Sequence, residues 1–165
     1  MAIINKPKEG EVYLLAMDDG RFSIGVLARV ETSKPRKPYG IFVYFFGPFD
    51  SPPKGPFLAS VLIVKSAAAR LLTSASGIYC GQWIKLGDIV SWERKDWELP
   101  RFYLEDFENG RISLVELDEA NLAYPIRNEV VDSKEGLEPN ISYGSEAARH
   151  FVSSLLEKKT ALPIA

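Results

Sequence analysis

The sequence predicts a mainly β, α+β domain: a twisted antiparallel sheet or partly open small barrel, with a short helix and a C-terminal amphipathic helix. Three observations predict it. Asp18-Asp19-Gly20 separates two apolar-rich runs, Asn109-Gly110 separates two more, and an apolar stripe at helical spacing occupies residues 145–158. Asp-Gly and Asn-Gly between such runs are hairpin signals, because their residues accept positive φ at low cost. A stripe repeating every three to four residues instead marks one face of a helix.

Taken in order, Glu11–Met17 and Arg21–Val30 are the strands of the first hairpin. In the second of them Phe22, Ile24, Val26, Ala28 and Val30 alternate with Ser23, Gly25, Leu27, Arg29 and Glu31, which predicts one core face. The polar loop TSKPRKP leads to YGIFVYFFG, a run of β-branched and aromatic residues that reads as a strand buried on both sides. GPFDSPPKGPF is dense in proline and is expected to be irregular. In LASVLIVKSAAARLLTS the apolar run predicts a strand at 60–64, and the alanine-rich run predicts a helix at about 66–72.

All three tryptophans fall within GQWIKLGDIVSWERKDWELPRF, residues 81–102. A strand from Gln82 to Trp92 with a bend at Gly87-Asp88 would place Ile84, Leu86, Val90 and Trp92 on the core face. Trp83 then packs on the opposite side or under a loop, and Trp97 lies near the Leu99-Pro100 exit. Aromatics interleaved with aliphatics pack by default, each indole burying about 150–250 Å². Stacking platforms for single-stranded nucleic acid pair aromatics with a positive groove, whereas these tryptophans stand among Asp88, Glu93, Asp96 and Glu98. A fold-holding role is therefore expected for Gly20, Gly25, Trp83, Gly87, Trp92, Trp97, Pro100 and Phe102.

Phe102–Glu105 and Ile112–Leu117 form the second hairpin. Beyond Leu117 the chain reads as a polar connection, 118–144, after a β-rich body of about 9–117, all within one domain of 1–165. Ser145 is placed as the N-cap of the final helix. Ala147, Ala148, Phe151, Val152, Leu155 and Leu156 form its apolar stripe.

The composition is that of an ordinary globular chain, with 46% hydrophobic and 25% charged residues and no run of about 18–20 apolar residues that would cross a bilayer. The N-terminus lacks a secretory h-region and Cys80 stands alone, so a reducing, cytoplasmic setting is expected. Cys80 and His150 are each single. Cys80 precedes a predicted strand and reads as a buried, inert thiol. No HExxH, CxxC or glycine-rich phosphate loop is present. These observations predict a non-enzymatic protein without metal or cofactor. Net charge is only −2, but residues 85–140 hold fourteen acidic against seven basic side chains. That block would repel phosphate backbones and attract basic partners.

The opening EGEVYLLAMDDGRFSIGVLARV and the tryptophan segment together resemble the immunity protein 26 family of bacterial polymorphic toxin systems. The likeness rests on Gly10, Asp19, Gly20 and Gly25, then on Gly81, Trp83, Gly87, Trp97, Pro100 and Phe102, and covers about the first 120 residues. It implies a cytoplasmic protein that binds and neutralises a cognate toxin domain and brings no catalytic residues with it. An acidic surface suits a basic, nuclease-type toxin, which makes Glu105, Asp106, Glu108, Asp118 and Glu119 the candidate contacts. Nucleic acid and membrane are not expected as partners. A β-rich carbohydrate- or peptide-binding module, and a small hydrolase built on paired carboxylates or Cys80 and His150, are the alternative readings.

Overall fold

The computed structural model describes residues 6–32, 40–58, 62 and 64–163. It is mainly β, with two sheets that do not close into a barrel among these residues. The larger sheet takes β1 (Glu11–Ala16), β2 (Phe22–Val30), β3 (Gly40–Phe49), β4 (Phe57–Leu58), β5 (Ala69–Ser74), β6 (Ile84–Val90) and β11 (Ser142–Tyr143), in the order β11-β5-β3-β2-β1-β6-β4. Its five central strands are antiparallel, and the short edge strands β11 and β4 run parallel to their neighbours. The smaller sheet has the order β10-β7-β8-β9, from β7 (Phe102–Glu105), β8 (Ile112–Asp118), β9 (Asn121–Val131) and β10 (Glu138–Pro139). The helices are α1 (Ser76–Tyr79) and α2 (Ser145–Leu156).

The first hairpin forms where Asp-Gly places it, with Leu14 opposite Ile24 and Gly20 at φ 88° in the turn. Gly25 lies mid-strand, where an added Cβ would come within 2.8 Å of Val43. β2 has no solvent face, contrary to its one-sided pattern. Ile24, Val26 and Ala28 join a core with Phe42, Tyr44, Trp97 and Phe102, while Leu27 and Val30 join a second core with Phe45, Trp83 and Val152. A register shift between Leu27 and Arg29 moves Val30 away from the face it was predicted to share with Ala28. The large sheet is thus the middle of three layers, with the helices over one face and the small sheet and the Trp97 segment over the other. β3 is buried on both sides, as its composition predicts, but it continues through Gly47, Pro48 and Phe49 into the stretch expected to be irregular.

Three further expectations are corrected. Residues 69–74 are strand β5, paired along β3 from Gly40 to Phe45, and Val64–Ser66 is a single 3-10 turn, so no helix occupies 66–72. The strand expected at 60–64 falls largely on residues outside those described, as does most of the TSKPRKP loop. The 118–144 segment is no polar connection, because it contains the eleven-residue β9 together with β10 and β11. In α2, Gly144 rather than Ser145 is the N-cap. Ser145 is buried inside the first turn with its hydroxyl 2.9 Å from that of Ser76. Ala148, Val152 and Leu156 are buried, whereas Ala147, Phe151 and Leu155 form an exposed second row.

Helix α2 is fastened to the first hairpin by polar groups at both ends. Arg21 donates to the carbonyls of Leu156, Glu157 and Lys159, capping the helix C-terminus. The Ser153 hydroxyl accepts the Asp18 amide at 2.9 Å. Arg149 reaches the Ala16 carbonyl and the Asp18 carboxylate, and His150 Nδ1 lies 2.8 Å from Asp18 Oδ2.

An acidic hairpin tip with an exposed phenylalanine

The tryptophan segment builds the platform beneath the small sheet. β6 ends at Val90, where Ser91 at φ 56° turns the chain, so the strand does not reach Trp92. The predicted core face is only half kept: Leu86 and Trp92 pack against the first core, but Ile84 and Val90 are 57% and 47% exposed and Ile89 is buried instead. A register shift opposite Val12 and Tyr13 causes it, pairing Gly87 with Val12 and Lys85 with Tyr13 and leaving Leu86 out of step. Lys85 therefore shares a face with both Glu11 and Asp88, at 3.2 and 3.6 Å. Gly87 lies within the strand, against Phe57, rather than at a bend.

Trp83 and Trp97 are 2% and 1% exposed and lie in different cores. Trp97 meets Tyr44 and Phe46 edge-on, at 5.2 and 6.0 Å between centroids, and Trp92 lies half-buried at 5.3 Å from it. Arg29, itself buried, donates to the Trp97 carbonyl at 2.8 Å, and the Tyr44 hydroxyl donates to the Glu98 carbonyl at 2.6 Å. These bonds hold residues 97–98 over the large sheet. The chain then passes Pro100 and enters β7 at Phe102, which packs edge-on to Phe42 at 6.0 Å.

From this root the second hairpin leaves the core. Phe102, Val115 and Leu117 are buried at one end, while Leu104 at the other end of β7 is 45% exposed. The Asp106–Arg111 turn closes with the Gly110 amide on the Asp106 carbonyl at 2.7 Å and the Glu108 amide on Asp106 Oδ1 at 2.9 Å. At its apex Phe107 is 92% exposed, between Asp106 and Glu108. In register with Leu104 across the sheet come Ser113 and then Val130, which is 62% exposed. The tip thus presents an aromatic ring, two aliphatic side chains behind it, and carboxylates around it.

The five acidic candidates do not form one patch. Glu105, Asp106 and Glu108 belong to the tip. Asp118 and Glu119 lie at the far end of β8, about 20 Å away at 3.4 Å per residue. There Asp118 caps its own turn through the amides of Ala120 and Asn121. Glu119 is held by Arg29 and Arg94, each at 3.1 Å. At the tip Glu105 is paired with Lys134 at 3.3 Å, and the Glu108 carboxylate has no partner among the described residues. Sequence reasoning passed over Phe107; its signal was a large aromatic inside a hairpin turn between two acids.

The residues weighed for catalysis stand apart in their bonding. Cys80 is exposed, not buried, and follows the last residue of α1, where its thiol donates to the Gly77 carbonyl at 3.6 Å. His150 is engaged with Asp18 and Arg149 in fastening α2. Among the described residues no group of three or more His, Cys, Asp or Glu is placed to hold a metal ion, and no helix is long and apolar enough to cross a membrane. The chain matches no protein-family model, and it has no significant match among curated proteins or solved structures.

Proposed function

We propose that the protein is a non-catalytic inhibitor of the immunity type, which binds a basic toxin domain through the β7–β8 hairpin tip. The observation that carries this reading is Phe107, 92% exposed between Asp106 and Glu108. A phenylalanine in water gains nothing for the free protein, whereas an aromatic ring entering a desolvated pocket is a common energetic anchor of protein interfaces. Leu104 and Val130 extend the apolar surface, and the carboxylates supply a rim that speeds encounter with a basic groove. The family resemblance of the two glycine- and tryptophan-bearing segments supports the same reading. Asp118 and Glu119, tied up elsewhere, drop out of the contact set.

The carbohydrate-platform alternative is disfavoured, because Trp83 and Trp97 are enclosed by the two cores.

The test uses the product of the gene immediately upstream as the partner. The proposal expects a toxin that this protein neutralises. Phe107→Ala should weaken the complex by about 2 kcal/mol, roughly 30-fold in Kd. Glu108→Lys, at the carboxylate that takes no part in closing the turn, should slow association and flatten its salt dependence. Unchanged protection and an unchanged association rate in both variants would sink the assignment to the tip.

A further inference from the structure

We infer that β9 is a self-complementary edge through which two copies of this chain pair antiparallel about Asn128. Among the described residues β9 hydrogen-bonds to β8 alone, so its outer edge presents unpaired backbone amides and carbonyls. Such an edge is a template for another strand. Most of the strand is exposed, including Tyr124, Ile126 and Val130 at 60–62%.

The sequence of this edge selects its occupant. Pairing about a two-fold axis at Asn128 sets Arg127 of one copy opposite Glu129 of the other, and Glu129 opposite Arg127. Within one chain these two side chains already share a face, 2.7 Å apart, with Glu116 behind Arg127 at 3.4 Å. Pairing would therefore close a square of alternating charges, each cation flanked by anions along and across the strands. Opposite charges directly across an antiparallel pair stabilise it and like charges oppose it. The same axis sets Ile126 opposite Val130.

The rest of the strand restricts the register. Pro125 offers no amide hydrogen, and the shift between Glu116 and Leu117 leaves Ile126 without a partner on β8. About the Asn128 axis these two positions face Val131 and Val130, so the regular ladder is Arg127, Asn128 and Glu129 of each copy, and the charge pairs at its two ends set the register. The dimer would join the two small sheets edge to edge and point the two hairpin tips in opposite directions. It does not depend on what the tips bind.

The experiment is sedimentation equilibrium of the full chain over a wide concentration range, with fold checked by circular dichroism. The mass should rise from 18.4 kDa toward twice that value. Glu129→Arg should weaken the dimer about tenfold, and adding Arg127→Glu in the same chain should recover most of that loss, since opposite charges again face each other. In a Cys80→Ser background, Asn128→Cys should cross-link to a covalent dimer with a short bifunctional thiol reagent, because opposed Cβ atoms lie about 4.5–5.5 Å apart. A monomer at every concentration overturns the inference. So does a dimer that ignores Glu129→Arg, one that the paired exchange fails to recover, or one in which Asn128→Cys does not cross-link.

Discussion

Truncating Trp97 to alanine tests whether the tryptophan segment holds the fold. The indole is 1% exposed, edge-on to Tyr44 and Phe46 and against Trp92. Burying about 150–250 Å² of indole at 25 cal/mol per Å² gives about 4–6 kcal/mol. That is an upper figure, because the unfolded chain already covers part of the ring. Core Trp→Ala changes cost about 3–5 kcal/mol, and the neighbouring rings cannot collapse far into the space left behind. A loss of about 4 kcal/mol is therefore expected, against a total of about 5–15 kcal/mol for a domain. In urea, with a slope of about 2 kcal/mol per M, the midpoint should fall by about 2 M at unchanged slope. The Trp97 carbonyl also accepts from Arg29, so the substitution keeps the backbone and isolates the ring. A fall of less than about 0.5 M would refute the reasoning and return Trp97 to the list of surface aromatics.

Acrylamide should quench the intrinsic fluorescence weakly, since Trp83 and Trp97 are enclosed and only Trp92 is half-buried; strong quenching of all three would contradict the packing. Gly77→Ala should destabilise by about 1–3 kcal/mol, because the new Cβ would lie 2.7 Å from the Trp83 ring and 2.9 Å from Ser145, and an unchanged melting temperature would contradict that contact. Asp18 is held below its ordinary pKa of 3.8 chiefly by its hydrogen bond with His150 and then by Arg149, and Glu146 below 4.5 by Arg149. Carboxyl groups depressed in the folded state contribute stability above their unfolded pKa and lose it as pH falls through the folded one. The contribution of these two carboxylates to the fastening of α2 should therefore be full above their ordinary values and be lost as pH falls below them. Asp18→Asn should lower stability at neutral pH and make the acid limb shallower; an identical acid limb would remove Asp18 from the account.

What the sequence showed and what it hid divide along physical lines. Both hairpins were legible because Asp-Gly and Asn-Gly fix the turn and the flanking strands alternate or run apolar. β3 was legible because GIFVYFF has no polar face to offer. β9 was not, since a strand exposed on most of its length carries no alternation, and Pro125 argues against a strand unless the strand is an edge. β5 was hidden by the helix propensity of KSAAARLL, which pairing with β3 overrides. The burial of Ile89 in place of Val90 followed from one register shift, which no periodicity reveals. The candidate site was half legible: the charge count found the acids of the hairpin. It also gathered Asp118 and Glu119, which lie one strand length away and serve a turn and two arginines. Phe107 carried a signal, a large aromatic inside a polar turn between two acids, but whether such a ring stands in solvent or folds back onto the strands is decided by the turn geometry and not by the residue pattern.

The reach of the second hairpin has a consequence for how this chain can change. Phe102, Val115 and Leu117 root it in the core, while residues 106–110 touch neither core and form a turn held by Asp106, Asn109 and Gly110. Mutations at 107 and 108 are thus nearly free of folding penalty, whereas Asn109 accepts the Arg111 amide and is held to its place. On the proposed reading of the tip, a lineage could rewrite its recognition surface there one residue at a time, retaining the three-layer body unaltered while the specificity drifts.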